Sequence, residues 1–205
     1  MECYYHIHTE NPQVRLLKKT VQILEKSGVI VYPTDSTYAL GCLPGNKTAL
    51  ERICRIRNLN EKHHFTLICR DLKDISKYAW VNTPQFRILK ASTPGPFTFI
   101  LKATKEVPRQ LIHKKKKTIG IRIPDCNVAR ELLNMLEHGL LTTSLIMPGE
   151  DAPLSDPLDI KDRIGSQVDV ILDSGIVAGE VTTLVDLTDE IPVILRQGGG
   201  MLDSA

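Results

Sequence analysis

Residues 33–42 place hydroxyls at Thr34, Ser36, Thr37 and Tyr38 around one carboxylate, Asp35, directly after the apolar run Val29-Ile30-Val31-Tyr32. Ser and Thr hydroxyls donate to phosphate oxygens or to a small carboxylate, and Asp35 can hold an ammonium group or a hydrated magnesium ion. A polar turn capped by its own Asp and Ser uses the same residues. Further along, Arg55-Ile56-Arg57 sets two guanidinium groups two positions apart. On a helix they diverge by about 200°, so they share a ligand only where the helix ends, as Asn58-Leu59-Asn60 allows. Guanidinium forks grip phosphate oxygens in pairs, which suits a triphosphate. Lys62, His63 and His64 follow and extend the same anion site. A solvated basic helix end is the competing reading.

Lys114, Lys115, Lys116 and Lys117 form an unbroken basic run, preceded by Lys102, Lys105 and Arg109 and opposed by Glu106. Such runs contact phosphate backbones without reading sequence, and they also occur as solvated loops. They belong to a wider asymmetry. Residues 1–124 carry 22 Lys/Arg against 9 Asp/Glu, and residues 125–205 carry 4 against 15, although the net charge is only +2. A basic surface of this kind attracts an anionic partner, a nucleotide or a nucleic acid, unless the two halves simply attract each other across one fold.

Other chemistries are absent from the sequence. There is no GxxxxGK[ST] and no GxGxxG, which excludes the P-loop and Rossmann modes of nucleotide binding. No GxSxG marks a nucleophilic serine. Aromatic residues, at 5%, are too few for a base-stacking platform. Cys3, Cys42, Cys54, Cys69 and Cys126 are scattered and read as reduced thiols, and no structural zinc site is expected. His6 and His8 face one way in a strand, as metal ligands do, but lack a third ligand nearby. No window approaches 18 apolar residues, and residues 1–15 lack the pattern of a secretory signal, so a cytoplasmic protein without a membrane partner is expected.

These groups need a scaffold. Val14, Leu17, Val21 and Leu24 form a helical stripe after Asn11-Pro12, and Ser27-Gly28 ends it. The spacing predicts further helices over 47–57, 72–78, 84–90, 128–136 and 157–164, the last capped at Ser155 or Asp156. Strands are predicted over 29–32, 65–69, 97–102, 119–124, 140–145, 168–172, 183–187 and 193–196, with a rigid turn at Thr93-Pro94-Gly95-Pro96. The mixture, with no repeat or linker, predicts a single α/β (α+β) domain with a twisted mixed sheet over 1–198, and a flexible tail over 199–205.

Taken together, the segments resemble the YrdC-like family of threonylcarbamoyl-AMP synthases, nearest its shorter YciO branch. The resemblance rests on seven blocks in order: Val31-Tyr32-Pro33-Thr34-Asp35-Ser36-Thr37-Tyr38 with Gly41, Arg55-Ile56-Arg57, Pro94-Gly95-Pro96-Phe97-Thr98, Ile121-Arg122-Ile123-Pro124, Thr142-Thr143-Ser144, Thr183-Leu184-Val185-Asp186-Leu187 and Arg196-Gln197-Gly198. It implies a sheet around a basic concave cavity. It also implies a nucleotidyltransferase that condenses threonine, bicarbonate and ATP, with magnesium, into threonylcarbamoyl-AMP for the modification of tRNA. A non-catalytic protein that binds double-stranded RNA or tRNA in the same cavity is the alternative. By this resemblance Thr34, Asp35, Thr37, Lys62, His63 and Thr66 bind the substrate. Arg55, Arg57, Arg122, Thr142, Ser144, Thr182 and Arg196 bind the nucleotide, with Arg55, Arg57 and Thr34 catalytic and Lys114 to Lys117 touching RNA. Three departures stand out: Arg55 where the family has Lys, Asp35 where it has Glu, and Ile146 where it has Asn. An alkyl side chain cannot replace an amide donor.

Overall fold

The computed structural model describes residues 3–59, 63, 65–109, 111–113 and 115–202. In chain order its elements are β1 (Cys3–His6), α1 (Val14–Glu25), β2 (Ile30–Tyr32), β3 (Ala39–Cys42), α2 (Lys47–Ile56), β4 (Thr66–Ile68), α3 (Leu72–Tyr78), β5 (Ala79–Trp80), α4 (Thr83–Ser92), β6 (Phe97–Ala103), β7 (Thr118–Arg122), α5 (Asn127–Asn134), β8 (Leu140–Ser144), α6 (Pro157–Ile164), β9 (Val170–Asp173), β10 (Thr183–Asp186) and β11 (Val193–Arg196). Several helix starts are written in side chains. Asn46, Asp71 and Asp156 accept from the first-turn amides of α2, α3 and α6, and Asn82 with Gln85 forms a capping box on α4. The expected start of α1 at Asn11-Pro12 shifts to Gln13, because the amides of Glu10 and Asn11 donate instead to His8 Nδ1. At its other end Ser27, rather than Gly28, takes the left-handed conformation, at φ 66°.

The expected twisted mixed sheet is present. Strands run in the order β1-β9-β2-β3-β8-β4-β7-β6-β10-β11, with β5 beside the far end of β6. Pairs β1–β9, β9–β2, β4–β7 and β6–β10 are parallel and the others antiparallel. Three strands were not expected: β1, β5 and β3, the last lying inside the hydroxyl-rich motif.

Alternation along the strands builds two unequal layers. On one face Val31, Leu40, Leu67, Phe99, Ile121 and Val185 pack with Ile53 of α2, Ile75 of α3, Leu89 of α4 and Ile160 of α6. On the other, Tyr32, Ala39, Ile68, Leu140 and Val170 pack with Leu17 and Leu24 of α1 and with Val128, Leu132 and Leu133 of α5. This second layer stops at β4. Beyond it, the same face of β7, β6, β10 and β11 is left without a covering helix among the described residues, and there the inward positions turn polar.

Residues 174–182 cross from β9 to β10, seven strand positions apart in the sheet. A flat sheet would put about 34 Å between them, close to the limit of a fully extended ten-step chain. The crossing is not taut: Val177 N donates to Ser155 O, and Gly179 packs on the backbone of Ser36. The sheet therefore coils, bringing its ends together around a hollow. The glycine-rich end is also tied down. Thr183 Oγ1 accepts from the amides of Gly198 (2.9 Å) and Gly200 (3.1 Å) and donates to Gly200 O (2.6 Å). Residues 199 and 200 are thus docked rather than a free tail.

Candidate functional site

The uncovered face has a period of two in residues that are mostly small or polar: Thr98 on β6, Thr118, Gly120 and Arg122 on β7, Thr142 and Ser144 on β8, and Asp186 on β10, with Ile100 and Leu184 as its aliphatic members. With Thr37, Thr66, Thr143 and Thr182 they line a cavity of about 300 Å³. Gly120 keeps its floor open. A Cβ there would stand 3.3 Å from Thr66 Oγ1 and 3.6 Å from the Thr98 methyl. The register sets Thr142, Thr66, Gly120, Ile100 and Asp186 side by side across five strands.

The charge in the cavity is mainly positive. Among the described residues, Arg122, Arg196 and Lys116 line it, against one carboxylate, Asp186. Arg122 is buried and ion-paired with Asp35. Arg122 Nε and Asp35 Oδ2 are buried with no hydrogen-bond partner among the described residues, so the pair is incompletely satisfied. Asp35 therefore anchors Arg122 from behind and does not itself line the cavity, where an ammonium or magnesium ligand was expected. Arg196 donates from Nε and Nη2 to Thr182 O at 3.2 and 2.9 Å, and Thr182 Oγ1 lies 2.8 Å from Thr98 Oγ1. Burial pulls the Arg196 pKa downward. Thr142 Oγ1 is taken from both sides, accepting from Tyr32 OH at 2.8 Å and donating to Leu40 O at 3.1 Å. His63 Nε2 lies 3.1 Å from Thr143 Oγ1, with its ring edge-on to Phe65.

Thr34 takes a different place from the one expected. Its Oγ1 donates to Thr37 O at 2.7 Å and accepts from the amides of Ser36 and Thr37, so it closes the turn that presents Thr37. It does not line the cavity. Nor do Arg55 and Arg57. The inward stripe of α2, Ala49, Ile53 and Ile56, packs on the face of the sheet opposite the threonines. Arg55 is exposed. Arg57 is half-buried, its Nε has no hydrogen-bond partner among the described residues, and burial pulls its pKa downward. The chain reaches the cavity again at His63, and Lys62 and His64 lie outside the described residues.

The lysine run is part of the rim. Lys116 lines the cavity, its amide donating to His113 Nδ1 at 2.9 Å, and Lys117 N donates to His113 O. Lys115 and Lys117 are exposed and Lys114 lies outside the described residues. Ile146, at the position where an Asn was expected, does not line the cavity and instead bridges to Pro153. Of the two N-terminal histidines, His6 Nδ1 is 2.7 Å from Asp173 Oδ2. Among the described residues no group of three His, Cys, Asp or Glu side chains is placed to hold a metal ion. None of the described helices is long and apolar enough to cross a membrane.

Sequence reasoning missed His113, Gly120, Thr118 and Asp186 as site residues. The signal was available: in strands that are otherwise apolar, small or polar residues recur at every second position.

Comparison with known proteins adds a lineage to this geometry. Residues 22–198 match the Sua5/YciO/YrdC family model, described as telomere recombination. YciO of Escherichia coli (strain K12), whose name states no activity, is 52% identical over 98% of this chain and 97% of its own. The threonylcarbamoyl-AMP synthase of Nitrosococcus oceani is 34% identical over 79% of this chain and 85% of its own. Among solved structures, E. coli YciO superposes with a TM-score of 0.94 at 51% identity, covering 99% of this chain and 98% of the other. Sua5 of P. abyssi complexed with L-threonine gives 0.87 at 22% identity, covering 96% of this chain and 57% of that one, a likeness of fold.

Proposed function

Because the chain belongs to the Sua5/YciO/YrdC family, we propose that its cavity condenses threonine, bicarbonate and ATP into threonylcarbamoyl adenylate, supporting the threonylcarbamoylation of tRNA. One observation carries the reading. Thr37, Arg122, Ser144, Thr182 and Arg196, drawn from five separate segments, face a single hollow. The name of the N. oceani relative and the threonine bound to P. abyssi Sua5 support the same reading.

The chemistry asks for little beyond placement and charge. The threonine amine attacks the bicarbonate carbon and water leaves, giving a carbamate. A carbamate oxygen then attacks the α-phosphorus, the bond to the β-phosphate oxygen breaks, and pyrophosphate departs. Two anions must be brought together, so positioning and fixed cations dominate over any dedicated base. In this reading Arg196, Lys116 and Arg122 face the developing phosphate charge, and the Asp35 pair keeps Arg122 in place. Magnesium enters on the triphosphate, as part of the substrate.

The test is to incubate the purified protein with ATP, threonine, bicarbonate and magnesium and seek the adenylate by mass. The reading expects threonine- and bicarbonate-dependent adenylate and pyrophosphate, reduced at least tenfold in Arg196→Ala, where a hydrogen-bonding cation is lost. If no adenylate forms beside an active relative, the reading fails. Lys116 favours a second reading, since it belongs both to the basic run and to the cavity rim: an RNA-binding protein whose affinity falls steeply with salt. Salt-dependent RNA binding without adenylate formation would select it.

A further inference from the structure

The uncovered face carries a second hollow, at the end of β6 beyond Ile100. Trp80 of β5 stands opposite Lys102 of β6, and Lys102 stands opposite Thr118 of β7. Directly opposed residues of antiparallel strands share a face. Thr118 lines the cavity, so Trp80 and Lys102 lie on the cavity side. With Asp189 and Glu190, from the turn between β10 and β11, they border an open hollow of about 430 Å³. Trp80, the sole tryptophan of the chain, is 69% exposed, and Ile191 is 76% exposed. Val193, Ile194 and Leu195 continue this apolar strip along the outer strand. Large apolar side chains gathered on a water-facing surface mark a contact with another protein. Strand addition is not the mode of contact. β11 has four residues, follows Pro192 and carries a register shift against β10, and each of these blunts an edge.

Charge selects the partner. β7 lies on one side of β6, and β5 lies on the other, in line with β10. The order across the sheet is therefore Lys102, then Trp80, then the turn that carries Asp189 and Glu190 toward β11. Lys105 and Lys117, on the hairpin between β6 and β7, are exposed behind Lys102. None of Lys102, Asp189 and Glu190 makes an ion pair with a described residue. A surface with its cation and its anions on opposite sides of an apolar centre complements itself under a two-fold rotation. We infer that two copies of this chain associate about a two-fold axis at Trp80. Each indole enters the hollow of the other copy and stacks on its counterpart, while each Lys102 faces the other copy's Asp189 and Glu190. Each copy then covers, beside Thr118 and the cavity, the outer end of the face that no described helix covers.

The experiment is sedimentation velocity of the purified chain from about 1 μM to about 200 μM, where an interface of modest extent is expected to dissociate. A monomer–dimer equilibrium should appear in that range. Over the same range the emission of the single tryptophan should move to shorter wavelength as its indole leaves water. Trp80→Ala should weaken the dimer at least about tenfold, as loss of a central aromatic anchor does. Lys102→Glu and Glu190→Lys should each weaken it by about tenfold or more, because the two-fold sets like charges together twice. Mixing these two variants should restore the dimer, since each then meets the opposite charge in the other. A contact that does not join 102 to 190 gives no such rescue. All three positions are exposed, and far-ultraviolet circular dichroism checks that each variant is folded. A monomer throughout the range, a dimer indifferent to Trp80→Ala, or a mixture that stays monomeric overturns the inference.

Discussion

Replacing Asp35 by alanine takes the carboxylate from a guanidinium whose side chain is only 7% exposed, its own side chain being 10% exposed. A buried charge stripped of its partner costs about 3–5 kcal/mol. Arg122 cannot redistribute the loss, because its Nε already lacks a partner. Since Arg122 also borders the cavity, water reaches part of it, and the lower end of that range applies. For a chain of this size about 3 kcal/mol corresponds to a Tm decrease of roughly 6–12 °C. Arg122→Met should cost a similar amount by stranding Asp35. The double replacement removes both charges and should be less destabilised than the sum of the singles by about 2 kcal/mol or more. Urea unfolding followed by far-ultraviolet circular dichroism, with m held constant across the set, measures all four corners of the cycle. A cost below about 1 kcal/mol for Asp35→Ala, the level of a surface ion pair, would show that the pair does not build the cavity floor. Strict additivity in the double variant would refute the reasoning equally.

A Cβ on Gly179 would stand 2.0 Å from Ser36 O, so Gly179→Ala must push the crossing segment off the turn that presents Thr37. The expected cost is about 1–3 kcal/mol, together with weaker ATP binding, whereas Gly199→Ala, whose nearest neighbour would be 3.7 Å away, stays within about 0.5 kcal/mol. A silent Gly179→Ala in both thermal melts and calorimetry counts against that packing. Alkaline pH offers a separate check. Burial pushes the Cys42 thiol up to about 12, and Cys69 is shifted the same way by burial. Because the folded values are raised, the unfolded chain loses these protons first, and stability is full below about pH 8.5 and falls above it, toward about 12 for Cys42. The slope reaches about 1.4 kcal/mol per pH unit for each thiol. Urea midpoints should therefore drop between about pH 8 and about pH 10, and Cys42→Ala should flatten that drop. An identical slope in the variant would refute the assignment to Cys42.

Among the predicted residues that line the cavity, Thr66, Arg122, Thr142, Ser144 and Arg196 share one property: their direction is fixed by a strand. Thr142, Ser144 and Arg122 sit in β8 and β7, where period two leaves each side chain one of two faces, and the neighbouring apolar residues claim the other. Thr34 and the two arginines lacked that constraint. A Thr beside Asp and Ser is chemically the same whether it meets a ligand or closes its own turn, and only the backbone path, with Thr37 O 2.7 Å from Thr34 Oγ1, decides. Arg55 and Arg57 ride on a helix whose buried stripe was readable, but which face of the sheet that stripe packs against is a property of topology, not of local pattern. Glycine was ambiguous in the same way. Gly198-Gly199-Gly200 reads as slack chain, yet a Cβ on Gly200 would meet the Phe97 ring at 2.6 Å and one on Gly198 would meet Val181 O at 2.0 Å. There the missing side chain permits close backbone packing rather than motion, and it lets the segment after β11 dock on Thr183 at the start of β10.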